Sequence, residues 1–137
     1  MGQDLHTDDF EEQQKKLKNI LRQLRMSVGA GIEASAIVGH EGLPIVSDLP
    51  QDMDELRFAA ITAASLALGE RAMMEVSKGE LERISVEGSD GIIVSISCGA
   101  AVLTVTVDKA TKTPLGLLFH EMSKAATKIK EIIPEEE

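Results

Sequence analysis

With 137 residues, 43% of them hydrophobic, the chain has the size and composition of one folded domain, which excludes general disorder and leaves no room for a second full core. A formal net charge of -9, with no Trp or Tyr and three Phe, offers neither a phosphate-neutralising surface nor a base-stacking platform, so nucleic acid is excluded as a main partner. The start 1–6 lacks the basic residues and apolar run of a signal peptide, His6 stands where a myristoylation motif needs Ser or Thr, and the uncharged run 58–69 is far short of a membrane span of roughly 20 residues. A cytoplasmic protein without membrane insertion is expected.

Residues 8–28 place Phe10, Leu17, Ile20, Leu21, Leu24 and Val28 at helical spacing, with Lys15, Lys16, Lys18, Arg22 and Arg25 elsewhere on the turn. This predicts an amphipathic helix behind a flexible stretch over 1–9. Gly29 and Gly31 end it. Ala36, Ile37 and Val38 then mark a buried strand over 32–39, closed by His40-Glu41-Gly42 and answered by 43–47 as a hairpin.

Asp52 with Glu55 three residues later predicts the start of a second helix, running to about Ser77 with Gly79 as its stop. Projected at about 100° per residue, Phe58, Ile61, Leu66, Leu68, Ala72 and Val76 gather on one face, expected to cover the sheet. Ala60, Ala63, Ala64 and Ala67 gather on the other with Leu56 and Met74. That second apolar face asks for another copy or another protein.

The alternation in 81–87 predicts a half-exposed strand, turned at 88–91 into two more strands over 92–98 and 101–107, separated at Gly99. Thr113-Pro114 opens a last helix in which Leu115, Leu118, Phe119, Met122, Ala126, Ile129 and Ile133 recur at three or four residues until Pro134, where an acidic tail over 134–137 begins. The predicted architecture is a single α+β domain over 1–137, ordered αββαβββα. A five-stranded antiparallel sheet carries the central helix on one face and the two terminal helices on the other.

No catalytic, cofactor-binding or metal site is expected. His40 and Glu41 occupy a hairpin tip, and His120 and Glu121 point about 100° apart on one helix; no His-Glu-x-x-His spacing is present. Ser47, Ser95 and Ser97 lack a Gly-x-Ser-x-Gly elbow, and no Gly-rich loop leads to Lys-Ser or Lys-Thr. Cys98, a lone cysteine at a strand end, reads as a small buried hydrophobe, and Met53, Met73, Met74 and Met122 as core filler, with lining of an adaptable binding surface as the alternative for Met73 or Met74.

The ordered set of phrases AIVGHEGLPIVS at 36–47, AAITAASLALGE at 59–70, GEL at 79–81, EGSDGIIV at 87–94 and PLGLL at 114–118 resembles the roadblock/dynein-light-chain family across about 17–132. The resemblance implies a homodimer, or a dimer with a second roadblock-type protein, in which the third strand pairs with its mate and the central helices lie together. Leu56, Ala60, Ala63, Ala64, Ala67, Met74, Leu81, Arg83 and Ser85 are the candidate dimer or partner interface. It further implies a non-enzymatic regulator of a small Ras-like GTPase, with Arg57, Arg71 and Glu75 as candidate contacts. Arg71 is also placed to pair with Glu75 four residues on. The alternatives are a structural adaptor indifferent to nucleotide, or a small-ligand sensor with a pocket in the sheet, against which the lack of Trp and Tyr argues.

Overall fold

The computed structural model describes residues 2–29 and 31–135, with side chains from Asp9 onward. Glu136, Glu137 and the side chain of His6 thus lie outside the described residues. The elements are α1 (Gly2–Val28), β1 (Ile32–Gly39), β2 (Pro44–Asp48), α2 (Glu55–Glu75), β3 (Ile84–Glu87), β4 (Gly91–Cys98), β5 (Ala101–Asp108) and α3 (Leu115–Ile132), with a 3-10 turn at Lys109–Thr111. The αββαβββα order is the predicted one.

The strands form one antiparallel sheet in the order β2-β1-β5-β4-β3. Because side chains alternate along a strand, β1 sends Ile37 to one face and Ala36 and Val38 to the other. On the first face Ile37, Val94, Ile96, Leu103 and Val105 pack against Leu17, Leu21 and Leu24 of α1 and Leu118, Met122 and Ile129 of α3. This is the main core. The two helices run antiparallel, and Gln13 Nε2 donates to the carbonyl of Ile132 at 3.3 Å, serving a helix-end acceptor that has no partner inside α3.

The opposite face is built differently. Among the described residues its buried apolar cluster is Ala36, Val38 and Ala59 with half-buried Phe58, Leu66 and Val102 are buried as well, and beside them Ser95 Oγ donates to Thr104 Oγ1 at 2.9 Å. Ser95, Ser97, Thr104 and Thr106, which alternate with branched apolar residues along β4 and β5, are on the face toward α2. Small and hydroxylated residues let α2 lie close to the sheet but leave it a thin core.

Three boundaries differ from expectation. Helix α2 is capped by Asp54, not Asp52, so Glu55 is its first residue and not the third residue past the cap. Helix α1 starts at Gly2 rather than Asp8. Apolar periodicity marks only the part of a helix that faces a core, and Phe10, at 60% exposure, is already beyond it. Strand β3 is confined to Ile84–Glu87 instead of 81–87, since its register against β4 stops at the pair Ile84 and Ser95.

Gly91 opens β4 where the chain passes close to its neighbour. A Cβ there would stand 2.7 Å from the Val107 carbonyl oxygen, which belongs to the β5 backbone and cannot swing aside. Gly91→Ala is expected to destabilise the fold by about 1–3 kcal/mol, read as a lower urea midpoint with an unchanged slope.

Candidate interaction surface

Asp54 caps α2, its carboxylate accepting from the Arg57 backbone N–H at 3.1 Å, and the neighbouring Ser47 hydroxyl bonds the Glu55 carboxylate. The buried residues of the helix are Ala59, Thr62 and Leu66, and Phe58, Ser65, Gly69 and Met73 are half-buried. Thr62 Oγ1 donates to the Phe58 carbonyl at 2.9 Å, which satisfies its hydroxyl against the sheet. Gly69 allows the closest approach. A Cβ there would lie 3.0 Å from Leu81 and 3.3 Å from Ile84, so the bare backbone seats α2 over the segment that leads into β3.

This inward stripe corrects the expected one. Leu66 points inward and Phe58 partly so, but Ile61 (53% exposed), Leu68 (69%), Val76 and Ala72 do not cover the sheet. Leu56 (62%) and Met74 (75%) are exposed as expected, with Ala60, Ala64 and Ala67, while Ala63 is half-buried beside Gly42 of the hairpin turn. Neither terminal helix touches this face, since both lie across the sheet. The outer surface of α2 is therefore apolar over more than half of its circumference, more than a thin core beneath it explains.

The exposed surface has two sides. Ile61 lines a small gap with Thr62, Ser65, Ile84, Val86 and Ile93, so its side of α2, shared by Leu68 one heptad on, is the side next to β3. Ala60 and Ala63 lie toward the hairpin turn, and Leu56, Ala67 and Met74 continue that side. Arg57, Arg71 and Glu75 are exposed between the two. The expected Arg71–Glu75 ion pair does not form: the pairs among the described residues are Arg25–Asp48, Lys109–Glu87 and Lys124–Glu121.

β3 hydrogen-bonds only to β4, which leaves its outer edge open along Ile84–Glu87, with Ser85 and half-exposed Val86 on it. Leu81 lies against Gly69, and Arg83 is turned to the α3 face, its guanidinium 4.0 Å from the Phe119 ring centroid. Of the candidate interface residues, the structure thus brings Ser85 to the open edge and Leu56, Ala60, Ala64, Ala67 and Met74 to the open helix face. Leu81 and Arg83 serve contacts within the chain. Ile61, Leu68 and Val86 are the surface residues that sequence reasoning missed.

Among the described residues no group of three or more His, Cys, Asp or Glu side chains is placed to hold a metal ion. Cys98 is fully buried, and burial pushes its thiol up to about 12, against smaller opposing effects of the Leu103 backbone hydrogen bond and the Lys130 charge. The folded state holds the thiol neutral where the unfolded chain, at 9.0, releases its proton. Stability is thus fully present below pH 9 and falls as pH rises toward 12, with a limiting slope of about 1.4 kcal/mol per pH unit. Urea unfolding across that range should show this loss, and Cys98→Ala should remove it.

The Roadblock/LC7 domain model matches residues 17–107. The chain belongs to the Roadblock/LC7 family. Two uncharacterized proteins of Methanocaldococcus jannaschii are each 36% identical to this roadblock protein over 107 residues, covering 78% of it and 92% of their own length. Among solved structures, Myxococcus xanthus MglB superposes with a TM-score of 0.78 at 22% identity, covering 88% of this chain and 89% of its own. The gliding protein MglB of Thermus thermophilus gives 0.78 at 14%, with 88% and 90% covered. At these identities the likeness establishes the fold, and with it the sheet and its two helical layers. No helix among the described residues is long and apolar enough to cross a membrane.

Proposed function

We propose that this roadblock protein is a homodimeric, non-catalytic module that binds a small Ras-like GTPase and regulates it by positioning the switch regions. The reading rests on one observation: the apolar outer face of α2, seated on a thin core, lies beside the free edge of β3. A second copy brought up by two-fold symmetry covers both features together. β3 pairs antiparallel with its mate, the two sheets become one, and the β3 side of α2, with Ile61, Ala64 and Leu68, meets the same side of the other α2. Ser85 and Val86 lie at that seam, and a second roadblock-type protein with a similar edge would fit equally.

The opposite side of each α2 stays free in such a dimer. Leu56, Ala60, Ala67 and Met74 supply an apolar strip and Arg57, Arg71 and Glu75 its polar margin, a combination suited to a folded partner. The family resemblance supplies the identity of that partner as a GTPase. A GTPase activator either inserts an arginine against transition-state charge or holds the GTPase's own catalytic groups in place. Arg57 and Arg71 sit on a convex helix with no pocket around them, which favours positioning.

The test is binding to Ras-like GTPases encoded by the same genome, each loaded with GDP or a non-hydrolysable GTP analogue. Preference for one nucleotide state supports regulation, and equal binding to both moves the protein to the adaptor class. Arg57→Ala and Arg71→Ala are each expected to weaken binding by less than about tenfold and to leave stimulated hydrolysis per bound complex within about threefold. Loss of about a thousandfold in rate with binding intact would instead identify an arginine finger.

A further inference from the structure

The layer opposite α2 carries a charge distribution that neither the dimer nor GTPase binding uses. Eight of the fourteen Lys and Arg residues fall within 13–28 and 115–130, which lie side by side as the bodies of α1 and α3. These two stretches hold one acidic residue, Glu121, although the whole chain has a net charge of -9.

Lys15, Lys16, Lys18, Arg22, Lys124 and Lys128 are exposed. Lys124 lies 3.6 Å from Glu121, and the other five have no ion-pair partner within 4.0 Å among the described residues. Arg25 differs, since it is held by Asp48 at 2.9 Å and donates to the Ile32 carbonyl. Apart from Glu121, the acidic groups of the layer gather toward one end: Asp9, Glu11 and Glu12 lie in the first half of α1, and because the helices are antiparallel, Glu131 in the last turn of α3 and Glu135 just beyond it lie toward the same end.

We propose that the basic body of the α1/α3 layer is a docking surface for an anionic lipid bilayer. Charge complementarity selects an anionic occupant, and the shape of the layer selects a bilayer. The groove between the helices, lined by Ile20, Gln23, Leu24, Ser27, Glu121 and Lys128 among others, has a volume of about 70 Å³, too shallow to grip a peptide. The aromatic side chain of these two stretches, Phe119, is half-buried beneath the Arg83 guanidinium and offers no free ring to stack a nucleic-acid base. Long, unpaired lysines spread over two parallel rods instead fit a diffuse field of headgroups, and the acidic end would tilt away from it.

The proposal gains strength from the dimer. Pairing across β3 by a two-fold axis through the sheet puts both α1/α3 layers on one side and both α2 helices on the other. Each dimer would then present the basic surface twice toward the bilayer while the GTPase-binding side faces water. That doubling rests on the proposed dimer; the surface itself does not. The contact rests on charge and is peripheral and reversible, since Met26, Leu115 and Leu117 are the large apolar side chains exposed in the bodies of the two helices.

Vesicle co-sedimentation tests this directly, with phosphatidylcholine vesicles against the same vesicles doped with phosphatidylglycerol, beside size-exclusion chromatography of the same sample. The full chain is expected to pellet only with the doped vesicles and to be released by salt. Lys15→Glu, Lys18→Glu and Arg22→Glu together should weaken this by at least about a hundredfold with unchanged circular dichroism, whereas Arg57→Glu, Arg71→Glu and Lys78→Glu, with the same change in net charge, should not. Failure to prefer doped vesicles, or equal loss in both triple variants, would overturn the proposal, as would retention of duplex DNA under conditions where vesicles are ignored. A monomer on the column that still binds doped vesicles would refute the dimer and leave the surface standing.

Discussion

Ile61→Glu with Leu68→Glu is expected to convert the dimer to a folded monomer, raising the dissociation constant by at least about a thousandfold in sedimentation velocity. Both side chains are more than half exposed in the isolated chain, so replacing them should change monomer stability by no more than about 0.5 kcal/mol each. In the proposed dimer the same positions face their mates across the two-fold axis. Burying a Leu or Ile is worth roughly 1.5–3 kcal/mol, and every substitution is felt twice. Four carboxylates brought together there would also repel one another and lose hydration. The comparison that decides the division of the helix is Leu56→Glu with Met74→Glu. This pair should leave the dimer intact and weaken GTPase binding instead. If both pairs break the dimer equally, the two sides of α2 are not used separately.

The order of elements was legible because each has a strong local marker: the period of α1 and α3, the turn residues 40–42 and 88–91, and the cap before Glu55. The placement of α2 was much less so. Its inward stripe is Phe58, Ala59, Thr62, Ser65, Leu66 and Gly69, in which hydroxyls and a glycine stand where hydropathy looks for large apolar residues. The threonine satisfies itself on its own helix and the glycine permits contact with Leu81, so the buried face carries less hydropathy than the free one. A helix whose outer face is the more apolar one inverts the usual pattern for this reason. The stretch 81–83 misled in another way. Leu81 and Arg83 alternate as strand residues would, but one is packed under α2 and the other lies over Phe119 on the opposite face, contacts that alternation alone cannot separate from pairing.

Where the two layers differ in thickness, their core residues should differ in cost. Leu103→Ala is expected to destabilise the monomer by about 2–5 kcal/mol, a large share of the roughly 5–15 kcal/mol that holds a domain of this kind together. Leu103 is fully buried on β5, flanked across the ladders by Ile37 and Ile96, and it belongs to the core under α1 and α3. The strands and helices around it are pinned by their own hydrogen bonds, so the space left by the side chain cannot easily collapse. On the other layer, Val38→Ala removes fewer atoms from a cluster of small residues that α2 can follow inward, and about 1 kcal/mol is expected. Urea unfolding of both variants in the Ile61→Glu, Leu68→Glu background reads the monomer alone. A Val38→Ala cost equal to that of Leu103→Ala would mean that α2 is held as firmly as the terminal helices, and that its apolar outer face is not needed to secure it.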